Sequence, residues 1–345
     1  MGLFNQANIL SKCHMYPIKS PYVPVLSIDG PFYKAFRKPE AFQRRNLNTS
    51  SHSQNEHLLP EVINGIIAVD KPKGISSTDV VRFFQRLLTR YYKNLPTNDT
   101  ILPRLMGDRN YSKLTSSFKL PARRVGHGGT LDPMASGVLV IGVGTGTQSL
   151  HSFLNEDKVY SVTGRLGYTT DTLDLEGVPS SLTETQHITK ELMERILPQF
   201  IGTITQEPPR YSAVRVDGKR LYEYARGSST VKAGTKVEIP IRVVTATKIE
   251  LVNFWHEEAQ IEDRLVTLPH FGLEVHCGKG FYIRSLVRDI GFALNSSAHV
   301  RELRRKIQSP FTLDSNAFAI SDYLAIDFLK KVIQENNLLL QKSTK

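Results

Sequence analysis

The sequence predicts a mixed α/β (α+β) domain with a largely antiparallel central sheet, flanked by helices and loops. Short apolar runs typical of buried strands alternate irregularly with stretches whose apolar residues recur at helical spacing. A chain of 345 residues with 40% hydrophobic residues is long enough to bury a large core, in one big domain or in two. We place the folded domain at residues 61–330.

The first predicted elements are a strand and a capped helix. The apolar run GIIAVD from Gly65 is typical of a buried strand. Ser76, with Asp79 three residues later, indicates the start of a helix whose apolar face carries Val80 and Phe84. Residues 91–120 are polar and irregular, so we expect an inserted loop there.

The middle of the chain predicts strands, one helix and a tight turn. VLVIGV from Val138 and the segment 158–167 are strand-like. Apolar residues at positions 188, 192, 196 and 200 mark an amphipathic helix. Asp217-Gly218 is a strong signal for a chain reversal. Strands are then expected over 231–252 and 270–277.

The last third predicts two further helices. Ile283, Leu286 and Ile290 recur at helical spacing, which puts Arg284 off the buried stripe. Ser321 is a candidate cap for a final helix, and residues 331–345 are expected to be a C-terminal tail.

The N-terminal residues 1–60 differ in composition from the rest of the chain. They contain few acids and many basic and serine residues, as a mitochondrial transit peptide does, and Arg44-Arg45 lies where processing would be expected. Several prolines interrupt any long amphipathic helix, which favours a disordered basic tail instead. Both interpretations stay open, and we expect a mitochondrial or nuclear location, or both.

Charge and cysteine content narrow the function. A net charge of +11 and a pI near 9.5 favour a polyanionic partner, because Lys and Arg neutralise phosphates. Cys13 and Cys277 are too few for a disulfide framework or a cysteine-based zinc site. No apolar run is long enough to span a membrane, and no histidine has metal-ligand companions at useful spacing, so we expect neither membrane nor metal.

The most informative stretch is RRVGHGGTLDPMASGVLVIGVGTGT, residues 123–147. It presents Asp132 in a glycine-rich turn, which proline stiffens, directly before a strand. Asp-Pro alone is usually only a turn signal. Gly142, Gly144 and Gly146 form GxGxG rather than a dinucleotide-binding GxGxxG, which argues against a dehydrogenase.

The segment GHGGTLDPMASGVL resembles the TruB family of RNA pseudouridine synthases, whose pattern G-H-x-G-x-L-D-P-x-A-x-G-x-L it matches at every fixed position. Further family-like segments follow in the family's order, and together they span residues 64–327. They are GIIAVDKPKGISS, KVYSVTGRLGYTTDTLDLEG, PPRYSAVRVDGKRLYEYAR, CGKGFYIRSLVRDIG and AHVRELRR. The sequences of these segments are most similar to those of the fungal enzymes that form pseudouridine-55 in tRNA.

The resemblance implies the pseudouridine-synthase catalytic fold and an isomerase that needs no cofactor. Its implied substrate is the T-loop uridine of tRNA, which must be flipped out of the folded RNA. The alternatives are a synthase acting on rRNA or mRNA, and a non-catalytic tRNA-folding protein. Too little chain follows Asp327 for an appended PUA domain, so we expect a monomer that works without a guide RNA.

Six residues acquire roles from the resemblance. Asp132 matches the catalytic aspartate, either as a nucleophile at C1′ or as a base that leads to a glycal; the sequence leaves both routes open. Arg284 matches the arginine that pairs with it. Tyr160 matches the tyrosine stacked on the uracil, and Tyr282 and Leu303 line the base pocket. His127 matches a histidine that supports the flipped-out RNA loop.

A set of basic residues is the predicted RNA-contact surface. Some flank the glycine-rich turns, and others alternate with tyrosines over 210–226, a mixture typical of RNA-binding faces. The candidates are Lys71, Arg123, Arg124, Arg215, Lys219 and Arg220.

Overall fold

A computed structural model describes residues 62–93, 124–227, 231–232, 234–261 and 264–343. The N-terminal segment 1–60, most of the expected insert 91–120, and Arg123 lie outside the described residues. None of the helices in these ranges is both long and apolar enough to cross a membrane.

The described residues form one large sheet and a small hairpin with helices around them. The strands are β1 (Gly65–Lys71), β2 (Val125–His127), β3 (Ser136–Val143), β4 (Lys158–Leu166), β5 (Gly202–Gln206), β6 (Arg215–Val216), β7 (Lys219–Arg220), β8 (Arg242–Ile261), β9 (Arg264–Cys277), β10 (Ala298–Gln308), β11 (Phe311–Thr312) and β12 (Ala317–Ala319). The α-helices are α1 (Ser77–Lys93), α2 (Leu150–Asn155), α3 (Lys190–Ile196), α4 (Leu221–Arg226), α5 (Ile283–Ala293) and α6 (Ile326–Ser343).

The large sheet has ten strands, with the order β12-β1-β3-β10-β4-β9-β8-β5, and β2 and β11 pair with β3 and β10. Among the strands of the described ranges, only the pairs β1–β12 and β3–β10 are parallel. The predicted mixed α/β class with a largely antiparallel sheet is therefore confirmed.

The main core lies between one face of the sheet and the helices. Val80 and Phe84 of α1 and Leu286 of α5 pack there against strand residues such as Val162 and Leu273. A smaller core under α2 covers the other face of β1 and β3. Strands β3, β10 and β4 are neighbours in the middle of the sheet, and the loop between β2 and β3 leads into β3.

Several local predictions agree with the structure. The Ser76 hydroxyl accepts from the Asp79 amide at 3.1 Å, and the Asp79 carboxylate accepts from the Ser76 amide at 3.1 Å, so α1 begins with the expected capping box. Asp217 and Gly218, with φ of 51° and 76°, turn the chain between β6 and β7.

Other predictions were wrong in extent. Residues 331–343 are not a tail: they continue α6, where Val332 and Ile333 are buried against the core. The last helix begins at Ile326, and a short 3₁₀ helix precedes it at Ile320–Leu324. The strand expected over 231–252 begins only at Arg242 and runs on to Ile261.

Candidate active site

Asp132 lies in the loop 128–135, between β2 and β3, with 29% of its side chain exposed. Its backbone carbonyl accepts a hydrogen bond from Ala135 N at 3.1 Å, which closes the turn. Gly129, three residues earlier, has φ of 139°, a backbone conformation that residues with a side chain rarely adopt. The glycine-rich sequence therefore sets the loop shape that presents the carboxylate.

Arg284 contacts Asp132 directly, as the resemblance implied. It lies in the first turn of α5, and its Nε is 2.8 Å from Asp132 Oδ2. The other guanidinium nitrogens donate to the carbonyls of Thr172 at 2.7 Å and Tyr211 at 2.9 Å. Only 5% of this side chain is exposed, so the prediction that Arg284 lies off the buried stripe was wrong. Its hydrogen bonds compensate the loss of hydration.

A second carboxylate, Asp174, faces the same guanidinium. Its Oδ2 lies 3.7 Å from Arg284 Nη1, and its side chain is 6% exposed. The Thr172 hydroxyl and the Glu176 amide both donate to its Oδ1, at 2.6 and 3.0 Å. Burial raises the Asp174 pKa. Sequence reasoning missed this residue because an acid in a polar loop is ordinarily a surface group.

Tyr160 and Leu303 lie on the core-facing side of the sheet. Leu303 on β10 pairs with Val162 on β4, two residues from Tyr160, so both side chains project from the same face. Both are buried in the main core, where Leu131 of the loop also packs. Burial raises the pKa of the Tyr160 phenol, and the negative charge of Asp132 contributes in the same direction.

Tyr282 is the residue that precedes α5. Its amide donates to Gln206 Oε1 at 2.9 Å, and Gln206 Nε2 donates back to the Tyr282 carbonyl at 3.3 Å. This pair fixes the start of α5, two residues before Arg284. Burial raises the Tyr282 pKa, and the charge of Asp132 again contributes. The Tyr282 side chain is half-buried.

His127 ends β2 and is half-buried. Its Nδ1 is buried and has no hydrogen-bond partner among the described residues. Burial lowers its pKa, and the positive charges of Arg305 and Arg220 lower it further. A neutral imidazole with an unused ring nitrogen therefore lies five positions before Asp132.

The candidate RNA contacts divide into two groups. Arg124, Arg215 and Arg220 are exposed and Lys219 is half-exposed, and the last three lie on the β6–β7 hairpin. The Arg220 guanidinium lies 5.7 Å above the Tyr222 ring. Lys71, in contrast, was predicted wrongly.

Lys71 is fully buried and cannot face a phosphate. Its ammonium donates to the carbonyls of Pro72 at 2.9 Å, Ile75 at 2.7 Å and Pro133 at 3.4 Å. Burial lowers its pKa to about 8. A lysine beside a glycine turn suggested a phosphate ligand. Lys71 instead donates a hydrogen bond to the carbonyl of Pro133, the residue after Asp132.

Comparison with known proteins supports the family resemblance of the sequence. A family model described as "TruB family pseudouridylate synthase (N terminal domain)" matches residues 118–283. Pseudouridylate synthase TRUB1 of Homo sapiens is 40% identical over 257 residues, which cover 74% of this chain and 64% of the human protein. The mouse protein of that name is 40% identical over 280 residues, 81% of this chain and 72% of the relative.

Bacterial relatives match as well. tRNA pseudouridine synthase B of Parabacteroides distasonis is 39% identical over 220 residues, 63% of this chain and 86% of the relative. Among solved structures, a chain in the crystal structure of a Cbf5–Nop10–Gar1 complex has a TM-score of 0.48 and 24% identity, with 78% of this chain and 59% of that chain covered.

The loop carboxylate Asp132 and the buried Arg284 that contacts it both lie in segments that resemble the pseudouridine synthases. The chain belongs to the TruB family of pseudouridylate synthases.

Proposed function

We propose that this protein is a tRNA pseudouridine synthase that isomerises the uridine of the T-loop, position 55. The observation that carries the proposal is the 2.8 Å contact between Asp132 and Arg284 within the family motif. The names of the relatives support tRNA as the substrate.

The isomerisation breaks the N1–C1′ bond of uridine, rotates the uracil and joins its C5 to C1′. The proton on C5 is lost and N1 gains one, so atoms and electrons balance without an oxidant or a co-substrate. The protein must supply a positioned carboxylate, a pocket that retains the free base and a route for the C5 proton. Asp132 is the group suited to the sugar, by attack on C1′ or by removal of a sugar proton.

Arg284 holds the carboxylate in place. One side of its guanidinium pairs with Asp132, and the rest is fixed by two carbonyls and by Asp174. Because this arginine has little freedom to move, the Asp132 oxygens are preorganised toward the open side of the loop. Tyr160, Tyr282 and Leu303 would then contact the extruded uracil.

The RNA must be gripped while one base leaves its stack. The β6–β7 hairpin and helix α4 carry exposed arginines beside aromatic rings, including Arg226 at 5.6 Å from the ring of Tyr211. Such groups contact phosphates and stack on bases. The Tyr211 carbonyl also accepts from Arg284, so the gripping surface is joined directly to the candidate catalytic pair.

Tritium release tests the activity. A tRNA transcript that contains [5-³H]uridine loses tritium when C5 forms its bond to C1′. We expect the wild-type protein, in excess over RNA, to release the label from one uridine, and Asp132→Asn to release none. Glu194→Gln is a control for the loss of a carboxylate, because Glu194 lies on α3 in a solvent-exposed pair with Lys190.

Substrate variants identify the position and exclude the folding-protein alternative. Replacing the T-loop uridine with cytidine should abolish release, whereas replacing a uridine elsewhere should not. Release that persists without the T-loop uridine would refute the assigned position. If wild type and Asp132→Asn refold tRNA equally well and neither releases tritium, the protein is a folding factor and the proposal fails.

A further inference from the structure

The loop that carries Asp132 is held through its carbonyl groups. Every backbone carbonyl from Gly128 to Pro133 accepts a hydrogen bond. The donors are Gln308 Nε2 to Gly128 (2.6 Å), Arg305 Nη2 to Gly129 (3.3 Å), Arg305 Nη1 to Thr130 (3.4 Å), Ser77 Oγ to Leu131 (2.8 Å), Ala135 N to Asp132 (3.1 Å), and both Lys71 Nζ (3.4 Å) and Gly74 N (2.8 Å) to Pro133.

Arg305 differs from the other donors because it binds two consecutive carbonyls of the loop. Its guanidinium is at the sheet centre, and the residue is 1% exposed. Nε donates to the Val138 carbonyl on β3 at 2.7 Å. All these acceptors are neutral carbonyl oxygens, so the buried cation is stabilised by the loop and by β3.

The same guanidinium reaches Tyr160. Arg305 Nη1 lies 3.5 Å from the Tyr160 hydroxyl, a long contact at the limit of a hydrogen bond. The backbones are also neighbours, because Arg305 pairs with Tyr160 on one side and with Gly137 on the other. One residue therefore touches both the loop that presents Asp132 and the tyrosine expected against the uracil.

We propose that Arg305 is a positioning residue that sets the shape of the Asp132 loop and couples it to the hydroxyl of Tyr160. The inference rests on the proposed pseudouridine synthase activity. Arg305 contacts no reacting atom; it acts through the Gly129 and Thr130 carbonyls and through Tyr160. A small shift of a carboxylate relative to the sugar lowers the rate steeply, so loss of these contacts should slow the chemical step.

A buried arginine could instead matter only for stability, and Lys158 offers a matched comparison. It is a buried cation on β4, the strand next to β10. Its ammonium donates to the carbonyls of Leu154 at 3.2 Å and Glu156 at 2.5 Å, near the end of α2, and not to the loop 128–133. Lys158→Met therefore removes a buried cation from its carbonyl partners without removing a hydrogen bond to the Asp132 loop.

The test measures single-turnover tritium release and tRNA affinity for Arg305→Met, Arg305→Lys and Lys158→Met. We expect Arg305→Met to be slower by about 100-fold at saturating protein, with tRNA affinity within about threefold of wild type. Arg305→Lys keeps the charge but has a single donor nitrogen, and should give an intermediate rate. Lys158→Met should lower the melting temperature yet keep the rate within about threefold of wild type.

Three results would overturn the inference. They are a normal rate for Arg305→Met, an equal rate loss for Lys158→Met, and a defect confined to tRNA affinity. If Arg305→Met does not fold, Arg305→Lys decides on the same criteria, since a wild-type rate there would show that the planar contacts are dispensable. An inactive wild-type protein would instead refute the proposed function. The role of Arg305 is judged only by the rates of the variants relative to an active wild type.

Discussion

Replacing Arg284 with glutamine should destabilise the protein in a way that a second substitution partly reverses. Arg284→Gln leaves Asp132 and Asp174 without their shared cation. Asp132 is 29% exposed and can be hydrated, whereas Asp174 is 6% exposed and cannot. Most of the penalty should therefore come from Asp174. Removing one partner of a buried ion pair typically costs about 3–5 kcal/mol.

The second substitution is Asp174→Asn, which keeps the shape and removes the charge. In the wild type it should destabilise by about 2–3 kcal/mol, because Arg284 loses a buried partner. In the Arg284→Gln background it should stabilise by about 1–3 kcal/mol, because the uncompensated charge disappears. The sign of the Asp174→Asn effect thus depends on whether Arg284 is present.

Urea unfolding of the four proteins at neutral pH measures this cycle. Arg304→Gln is the control, since its pair with Asp70 has side chains 45% and 32% exposed and should contribute less than about 1 kcal/mol. Burial already raises the Asp174 pKa, so the folded Arg284→Gln protein should bind a proton more tightly than the unfolded chain. Its stability should therefore rise as the pH falls. If Asp174→Asn destabilises both backgrounds equally, the assignment of the penalty to a buried charge is wrong.

Three further results are expected. Gly137→Ala should destabilise the protein by about 2 kcal/mol or more in thermal melts, because φ is 108° and the new Cβ would lie 2.2 Å from the Arg305 carbonyl oxygen. Gly280→Ala is the control: φ is 75° there but the Cβ would meet no atom, so it should cost only about 1 kcal/mol. Burial lowers the His299 pKa from 6.5 to about 4, so the unfolded chain binds a proton at a higher pH than the folded protein does, and stability is lost as the pH falls below 6.5. The loss of stability between neutral pH and pH 5 should be about 2 kcal/mol smaller in His299→Asn. The same dependence of stability on pH in both proteins would contradict this. Arg220→Gln should weaken tRNA binding and reduce the slope of log affinity against log salt by about one, and an unchanged slope would remove Arg220 from the RNA surface.

Local elements were predictable wherever neighbouring residues decide the structure. The capping box at Ser76 and Asp79 depends on groups three residues apart, and the Asp217-Gly218 turn depends on two residues that tolerate positive φ. No local pattern relates Asp132 to Arg284, which lie 152 positions apart in the numbering. Their contact was predicted from the family resemblance instead. The same resemblance singled out Leu303, which the structure buries in the main core.

Sequence periodicity did not predict which charged side chains are buried. It assigns Lys, Arg and Asp to solvent, so Lys71 was predicted to bind phosphate and Arg284 to lie off the buried stripe. Asp174 and Arg305 were not singled out at all. Each of these charges is buried because it has partners, and each has at least one partner from a distant part of the chain: the Pro133 carbonyl for Lys71, the Val138 carbonyl for Arg305, and the ion pair for Arg284 and Asp174. Partners that tertiary structure brings together leave no periodic signal.

Three of these buried charges, the cations, also lie around the same loop. Arg284 approaches Asp132 from α5, Arg305 approaches the same loop from β10, and Lys71 approaches from the end of β1. Burying three cations around one short loop is unfavourable unless each is paired, and a stable core could have used apolar side chains there at lower cost. Because the cations converge on the carboxylate and on the carbonyls beside it, they hold one acidic side chain in a single orientation while its oxygens stay partly open to solvent. That arrangement suits a group that must meet a sugar carbon accurately, and it explains why these three buried cations surround the candidate catalytic residue.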